Sequence, residues 1–281
     1  MEFRFKLEKI VKKNSSILTI GLDPDKSKMP VSDIFEFNKK IIDSTFDLVC
    51  AYKPNFAFYE KEGLDGINAL YKTIDYIKSK DSDIITIGDA KRGDIGNTNK
   101  AYAESILQKM GFDAVTVNPY GGEESLIPFF EYKDKGIFIW CRSSNPTSDE
   151  LQKVELASSY GVQYFFEFLG TLINKWKSFN NNIGIVAGAT NIDDIKRLRN
   201  ICGNNVTYLI PGIGSQGGDL DGVIESLGVV RKSKSLDYIP YIINSSRSII
   251  YASTEENFQD EARKKALHFV ESVKTKIFKS D

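Results

Sequence analysis

Short apolar runs alternate along the 281-residue chain with longer stretches whose apolar positions recur three and four residues apart. The first pattern predicts strands buried on both faces, and the second predicts amphipathic helices. The first strand is expected at Ile17–Ile20, ending in Gly21-Leu-Asp23-Pro, with a helix from about Ser32 to Phe46. Leu48–Ala51 is the second run, ending in Tyr52-Lys53-Pro54-Asn55, and a helix from roughly Gly63 to Ser79 follows. The third strand, Ile84–Gly88, leads into the charged stretch Asp89-Ala-Lys91-Arg-Gly-Asp94, and Thr98–Met110 is helical up to the stop at Gly111. Ala114–Val117 and Gly136–Cys141 are the fourth and fifth strands, separated by a short helix over Glu123–Tyr132.

Beyond the fifth strand come Arg142-Ser143-Ser144-Asn-Pro146, a polar loop, and an amphipathic stretch over Tyr160–Phe179. Ile183–Ala187 is the sixth strand. Asn191 is a good N-cap for a helix carrying Ile192, Ile195, Leu198 and Ile201. Val206–Ile210 is the seventh strand, ending in Pro211-Gly212-Ile-Gly-Ser-Gln216-Gly-Gly218, and Leu220, Val223, Ile224 and Leu227 mark the next helix. Tyr241–Asn244, followed by Ser245-Ser246-Arg247, is the eighth strand, and a last helix presents Ala266, Phe269, Val270, Val273 and Ile277 on one face.

Strand-then-helix units repeated in this way, with no linker between them, close most economically into a single-domain α/β (β/α)₈ barrel over residues 1–281. An open doubly wound sheet is the competing architecture. The barrel has a corollary: polar residues that follow the strands belong to one rim.

Composition narrows the function classes. The 37 basic and 38 acidic residues leave a net charge of −1, which favours neither nucleic acid nor an anionic membrane. No apolar run reaches the ~18–20 residues of a membrane span, and the N-terminus lacks a signal-peptide core. Three scattered cysteines argue against a disulfide framework and for a reducing, cytoplasmic setting. His268 is the only histidine, which excludes a His-based triad or a multi-His metal site.

The stretch Asp89–Asp94 concentrates two carboxylates and two cations behind a strand. In extended backbone Asp89 and Lys91 share a face, and Gly93 is expected to turn the chain and re-aim Asp94. With Lys53, these groups form an acid–lysine array in which the lysines stay charged. A fixed ammonium suits stabilisation and protonation of a carbanion. The glycines after the seventh strand, with Gln216 and Arg247, form the pattern of a phosphate cup. Gly212-Ile-Gly-Ser-Gln-Gly217 also fits the dinucleotide fingerprint, but only one strand remains after it, so that reading is rejected. The residues by themselves point to carbanion or proton-transfer chemistry on a small phosphorylated substrate.

Asp89–Thr98, Ala114–Gly122, Pro211–Asp219 and Asn244–Arg247 closely resemble the signatures of the orotidine 5′-phosphate decarboxylase family, in its longer subgroup. The resemblance runs from Gly21 to Arg247. It implies conversion of orotidine 5′-monophosphate to uridine 5′-monophosphate and carbon dioxide, without cofactor or metal. By similarity Lys91 protonates the ring carbon, Asp89 faces the departing carboxylate, and Lys53 and Asp94 hold Lys91 and contact the ribose. Asp23 and Asn55 belong beside the ribose hydroxyls, Ser144 with Ser143 at the pyrimidine edge, and Gln216 and Arg247 at the phosphate with Pro211, Gly212 and Ser246. The family is dimeric, which implies that Asp94, Ile95 and Thr98 serve the partner's site. Ser143-Ser144 stands where the family is expected to carry Thr-Ser.

The insertion at Thr147–Ser159 and the loop after the seventh strand are expected to act as mobile lids, and Asn118-Pro-Tyr120 to pack in the core at the barrel mouth. Two other readings remain open from sequence. One is a related phosphosugar decarboxylase or aldolase that needs a divalent metal, and the other is a non-catalytic nucleotide-binding barrel.

Overall fold

The computed structural model describes residues 2–213, 218–228, 230–232 and 235–278, with backbone only over 230–232 and 235–238. In chain order the elements are α1 (Phe3–Asn14), β1 (Leu18–Leu22), α2 (Ile34–Thr45), β2 (Ala51–Pro54), α3 (Phe56–Glu60), α4 (Gly63–Lys80), β3 (Ile85–Arg92), α5 (Gly96–Ala103) and a π-helical segment, Glu104–Lys109. There follow β4 (Ala114–Val117), α6 (Gly122–Phe130), β5 (Gly136–Arg142), α7 (Asp149–Gln152), α8 (Phe165–Trp176), β6 (Ile183–Ala187), α9 (Ile192–Cys202) and β7 (Thr207–Pro211). The chain continues through α10 (Leu220–Leu227), β8 (Val230–Lys232), β9 (Ser235–Tyr238), β10 (Tyr241–Ser245), α11 (Arg247–Ile250) and α12 (Phe258–Ile277).

Eight strands pair into a closed parallel barrel in the order β1-β10-β7-β6-β5-β4-β3-β2, so the (β/α)₈ expectation holds and the open sheet does not. Among the described residues β8 and β9 form a separate antiparallel pair that the hydropathy pattern did not reveal. Cα packing divides the chain into two compact units, Met1–Ala90 with Glu104–Val115 and Asn244–Asp281, and Lys91–Ala103 with Thr116–Ile243.

In the first unit the helix α1, unassigned from sequence, buries Phe3, Leu7, Ile10 and Val11 on one stripe. The second strand begins three residues later than its apolar run. Cys50 already bonds to both sides, its N–H to the Leu18 carbonyl at 2.8 Å and its carbonyl to the Ile85 N–H at 3.1 Å. Buried apolar residues therefore lead into the pairing, but Ala51–Pro54 carry the assigned ladder, opposite Thr19–Leu22 on β1. That register draws Lys53 into the sheet, where only 4% of its surface is exposed. A buried polar chain fixes the end of β1. Asn38 Nδ2 donates to Tyr59 Oη and Thr73 Oγ1 at 3.0 Å each, and Tyr59 Oη donates to the Leu22 carbonyl at 3.1 Å.

In the second unit β5, β6 and β7 pair in register, with Ile137 opposite Ile183 and Gly184 opposite Thr207. The expected cap of α9 forms, Asn191 Oδ1 accepting from the Asp194 N–H at 3.3 Å. Asp219 caps α10 in the same way at 3.0 Å. The polar loop expected between Pro146 and Tyr160 is instead occupied by short helical turns at Pro146–Ser148, Asp149–Gln152 and Ser158–Tyr160.

Candidate active site

The C-terminal ends of the first unit's strands hold two contacts between residues far apart in sequence. Parallel pairing of β2 with β3 ends in a bridge between Asn55 and Asp89. This places Lys53 Nζ 2.6 Å from Asp89 Oδ2, with side-chain exposures of 6% and 9%. Burial by itself pushes the Lys53 ammonium toward deprotonation, but Asp89 and then Asp23 outweigh it and hold its pKa above the ordinary lysine value. Lys53 is thus a buried cation kept charged by carboxylates.

The second contact joins β1 to β10. Ser246 Oγ lies 2.6 Å from Asp23 Oδ2 and 3.1 Å from the Gly21 carbonyl. A Cβ at Gly21 would stand 2.7 Å from the Ser246 Cβ, so only glycine admits this approach. Tyr251 Oη donates to the Asp23 carbonyl at 2.7 Å and accepts the Asp25 N–H at 2.6 Å, fixing the backbone that carries Asp23. Asn55 has a local duty as well: its Oδ1 accepts the Ala57 N–H at 3.2 Å and caps α3. Arg247 opens α11 and is exposed.

In the second unit, Lys91 departs from the alternation expected of an extended strand. Its φ is +44°, a conformation uncommon for a residue with a side chain, whereas Gly93 is not among the positive-φ residues. The turn expected at Gly93 therefore begins at Lys91. The Lys91 N–H is held by Thr116 Oγ1 at 3.0 Å, and its ammonium lies 5.8 Å from the Trp140 ring centroid. Gly93 is required for closeness: a Cβ there would stand 2.7 Å from the Asn118 carbonyl oxygen.

Asp94 and Ile95 project outward, Ile95 with 73% of its surface exposed, and Thr98 is half-buried. The fully buried Asn99, which sequence reasoning passed over, anchors this turn. Its Nδ2 donates to the Asp94 carbonyl at 2.8 Å and to the Ser125 carbonyl at 2.6 Å. Tyr120 is 83% exposed, so the core-packing expectation for Asn118–Tyr120 fails there. Asn118 turns its Oδ1 to the Tyr120 N–H at 3.0 Å.

Ser143 and Ser144 follow β5 and are half-buried. They line a cavity of about 500 Å³ with Arg142, Asn145, Thr190 and Asn191. A Cβ on Gly188 would meet Ser144 backbone atoms at 2.7 Å, so the residue just past β6 packs directly against this dipeptide. Pro211 ends β7, and Gly212 takes φ +101°, a conformation suited to glycine. The Gly218 N–H donates to the Gly212 carbonyl at 3.1 Å, closing the loop at its base. Gln216, with Gly214 and Gly217, lies outside the described residues.

The fold is that of a (β/α)₈-barrel enzyme, with acids, lysines and hydroxyls following several of its strands. A model of the orotidine 5′-phosphate decarboxylase / HUMPS family matches residues 16–261, and the chain belongs to that family. It is 43% identical over 267 residues to an orotidine 5′-phosphate decarboxylase of Dehalococcoides mccartyi, covering 95% of each chain. It is 41% identical over 266 residues to that of Flavobacterium johnsoniae, covering 92% of each. Among solved structures, the OMP decarboxylase of Leishmania donovani superposes with a TM-score of 0.83 at 32% identity over the full length of both chains. The UMP synthase of Leishmania donovani superposes with a TM-score of 0.84 at 33% identity, and the match spans 98% of this chain but 56% of that one.

Proposed function

We propose that this chain decarboxylates orotidine 5′-monophosphate to uridine 5′-monophosphate in the cytoplasm, within pyrimidine biosynthesis, using neither metal nor organic cofactor. The observation that carries the reading is the buried Lys53–Asp89 pair, followed two residues later by Lys91 in a left-handed backbone conformation. Strained φ/ψ values of this kind cost on the order of 1–3 kcal/mol and concentrate where function requires a side chain in a set direction.

In this reading Asp89 faces the substrate carboxylate and disfavours the bound ground state, an effect limited to roughly 1–5 kcal/mol. The bond from the ring carbon to the carboxylate breaks, carbon dioxide leaves, and the electron pair remains on the ring. The Lys91 ammonium stabilises that charge and delivers its proton to the same carbon. Lys53 and Asp94 hold Lys91 in place and contact the ribose, beside Asp23 and Asn55. Ser144, with Ser143, reads the pyrimidine edge. The phosphate is held by Gln216 and Arg247, with the backbone of Pro211, Gly212 and Ser246, and contributes binding energy that offsets strain at the reacting carbon.

The active protein is a homodimer in which Asp94, Ile95 and Thr98 complete the partner's site. The exposure of Asp94 and Ile95 supports this. Loss of the substrate's ultraviolet absorbance tests the chemistry. Wild type is expected to be active, equally so in EDTA, and Lys91→Ala to lose about 10²–10⁴-fold or more. Two inert proteins, or two equally active ones, refute the mechanism, and loss in EDTA points to a metal-dependent relative. Lys91→Ala mixed with Asp94→Ala chains should regain activity in heterodimers; no recovery counts against the shared site.

A further inference from the structure

The structure assigns a positioning role to Arg142 and Gln152, two residues outside the reacting site, in setting the backbone that presents Ser143 and Ser144. Arg142 ends β5 with its side chain 5% exposed. A guanidinium offers five N–H donors in a rigid plane. Here Nε donates to Asp194 Oδ2 at 2.8 Å, Nη1 to Ser148 Oγ at 2.7 Å and to Gln152 Oε1 at 3.0 Å, and Nη2 to Asp149 Oδ1. Asp194, on the first turn of α9, is itself buried, with Lys153 Nζ 3.3 Å from its Oδ2. Two cations and two carboxylates therefore balance, and one planar group ties β5 to α9 and to α7.

Gln152 transmits this arrangement to the loop. The oxygen that accepts from Arg142 also accepts the Ser143 backbone N–H at 2.9 Å. On the other side Gly188 leaves no room for a Cβ against Ser144. The dipeptide is thus held by the amide oxygen of Gln152 and by the backbone at Gly188, just past β6. The clamp rests on the reading of Ser144 as the pyrimidine contact. It adds that recognition of the base depends on the segment after β5 through a two-bond relay, Arg142 to Gln152 to Ser143.

Binding of uridine 5′-monophosphate, compared with ribose 5-phosphate, separates this role from a general structural one, because only the first ligand carries the base. Gln152→Leu is expected to weaken uridine 5′-monophosphate about 10-fold while changing ribose 5-phosphate less than about twofold, the loss of roughly one hydrogen bond. Gln152→Glu, which keeps the acceptor, should restore most of the difference. Arg142→Lys should reproduce the selective loss, since a point-like ammonium cannot span Asp194 and Gln152 together. This second site keeps the test decisive if Gln152→Leu folds poorly. Equal weakening of both ligands, or unchanged preference in both folded variants, overturns the relay. A wild type with no preference for the base-bearing ligand overturns the decarboxylase reading as well, so the two failures are distinguishable.

Discussion

Two buried cations stand at strand ends, and their surroundings differ in kind. Lys53 meets Asp89 at 2.6 Å, a flexible ammonium held by a carboxylate and by the field of Asp23. Arg142 meets four side-chain acceptors through one rigid plane, and one of them passes its bond on to the Ser143 backbone. The first arrangement concentrates charge, and the second distributes geometry. A lysine suits the first because a compact ammonium delivers its field at one point, and an arginine suits the second because its donors are fixed relative to one another. A strand terminus can thus either concentrate charge at one point or tie several polar groups to one plane.

The largest expected effect breaks the contrast at Lys53. Lys53→Met breaks a buried ion pair from one side, a change that typically costs about 3–5 kcal/mol in denaturant unfolding. The double variant Lys53→Met/Asp89→Leu should recover most of that loss while remaining inactive. Arg142→Met/Asp194→Leu should not recover in the same way, because Gln152, Ser148 and Asp149 lose their donor too. Equal recovery in both doubles would erase the distinction.

The Lys53 pair also fixes a pH dependence. Its folded pKa is raised, so its contribution is complete below the unfolded lysine value near pH ~10.4 and is lost as pH climbs through the higher folded value. Wild type should therefore lose more stability between pH 9 and pH 12 than the double variant, measured in parallel denaturant titrations.

A smaller effect sharpens the second half of the comparison. Gly188→Ala forces a methyl group against the Ser144 backbone, and overpacking of this kind costs about 1–3 kcal/mol. Uridine 5′-monophosphate binding should weaken with it, as read by calorimetry. The smallest belongs to the support beneath Arg142. Asn191→Ala removes the cap on the turn that carries Asp194 and should cost about 1 kcal/mol, leaving the affinity for ribose 5-phosphate unchanged.

Much of this was legible from hydropathy alone. Ala114–Val117 and Ile183–Ala187 match their expected strands to the residue, because strands buried on both faces read as nearly continuous apolar runs. Asn191 and Ile192–Cys202 were equally plain, as a cap before a helical stripe. The second strand moved because burial and pairing are separate properties, and its paired residues include Lys53. The hairpin β8–β9 pairs outside the barrel, so no eight-unit pattern could announce it.

At the site, the sequence pointed to charged and polar residues after most of the strands but not to their contacts. Asp89 and Lys91 were expected on one face, and the +44° φ of Lys91 breaks that alternation. Arg142 was visible only as the residue before two serines, since its acceptors lie up to 52 positions away.

Residue order by itself determined that strands and helices alternate, that they close as a barrel, and that acids and lysines gather after the strands. Period-two and period-3.6 patterns are local properties, and a chain carries them in its order. Only the tertiary structure decided which charges touch. Lys53 and Asp89 are 36 residues apart and meet through the register of β2 on β3. Asp23 and Ser246 are separated by 223 residues and meet where β1 pairs with β10. Barrel closure converts sequence distance into neighbouring strand ends, and that conversion belongs to the hydrogen-bonded ladder as a whole.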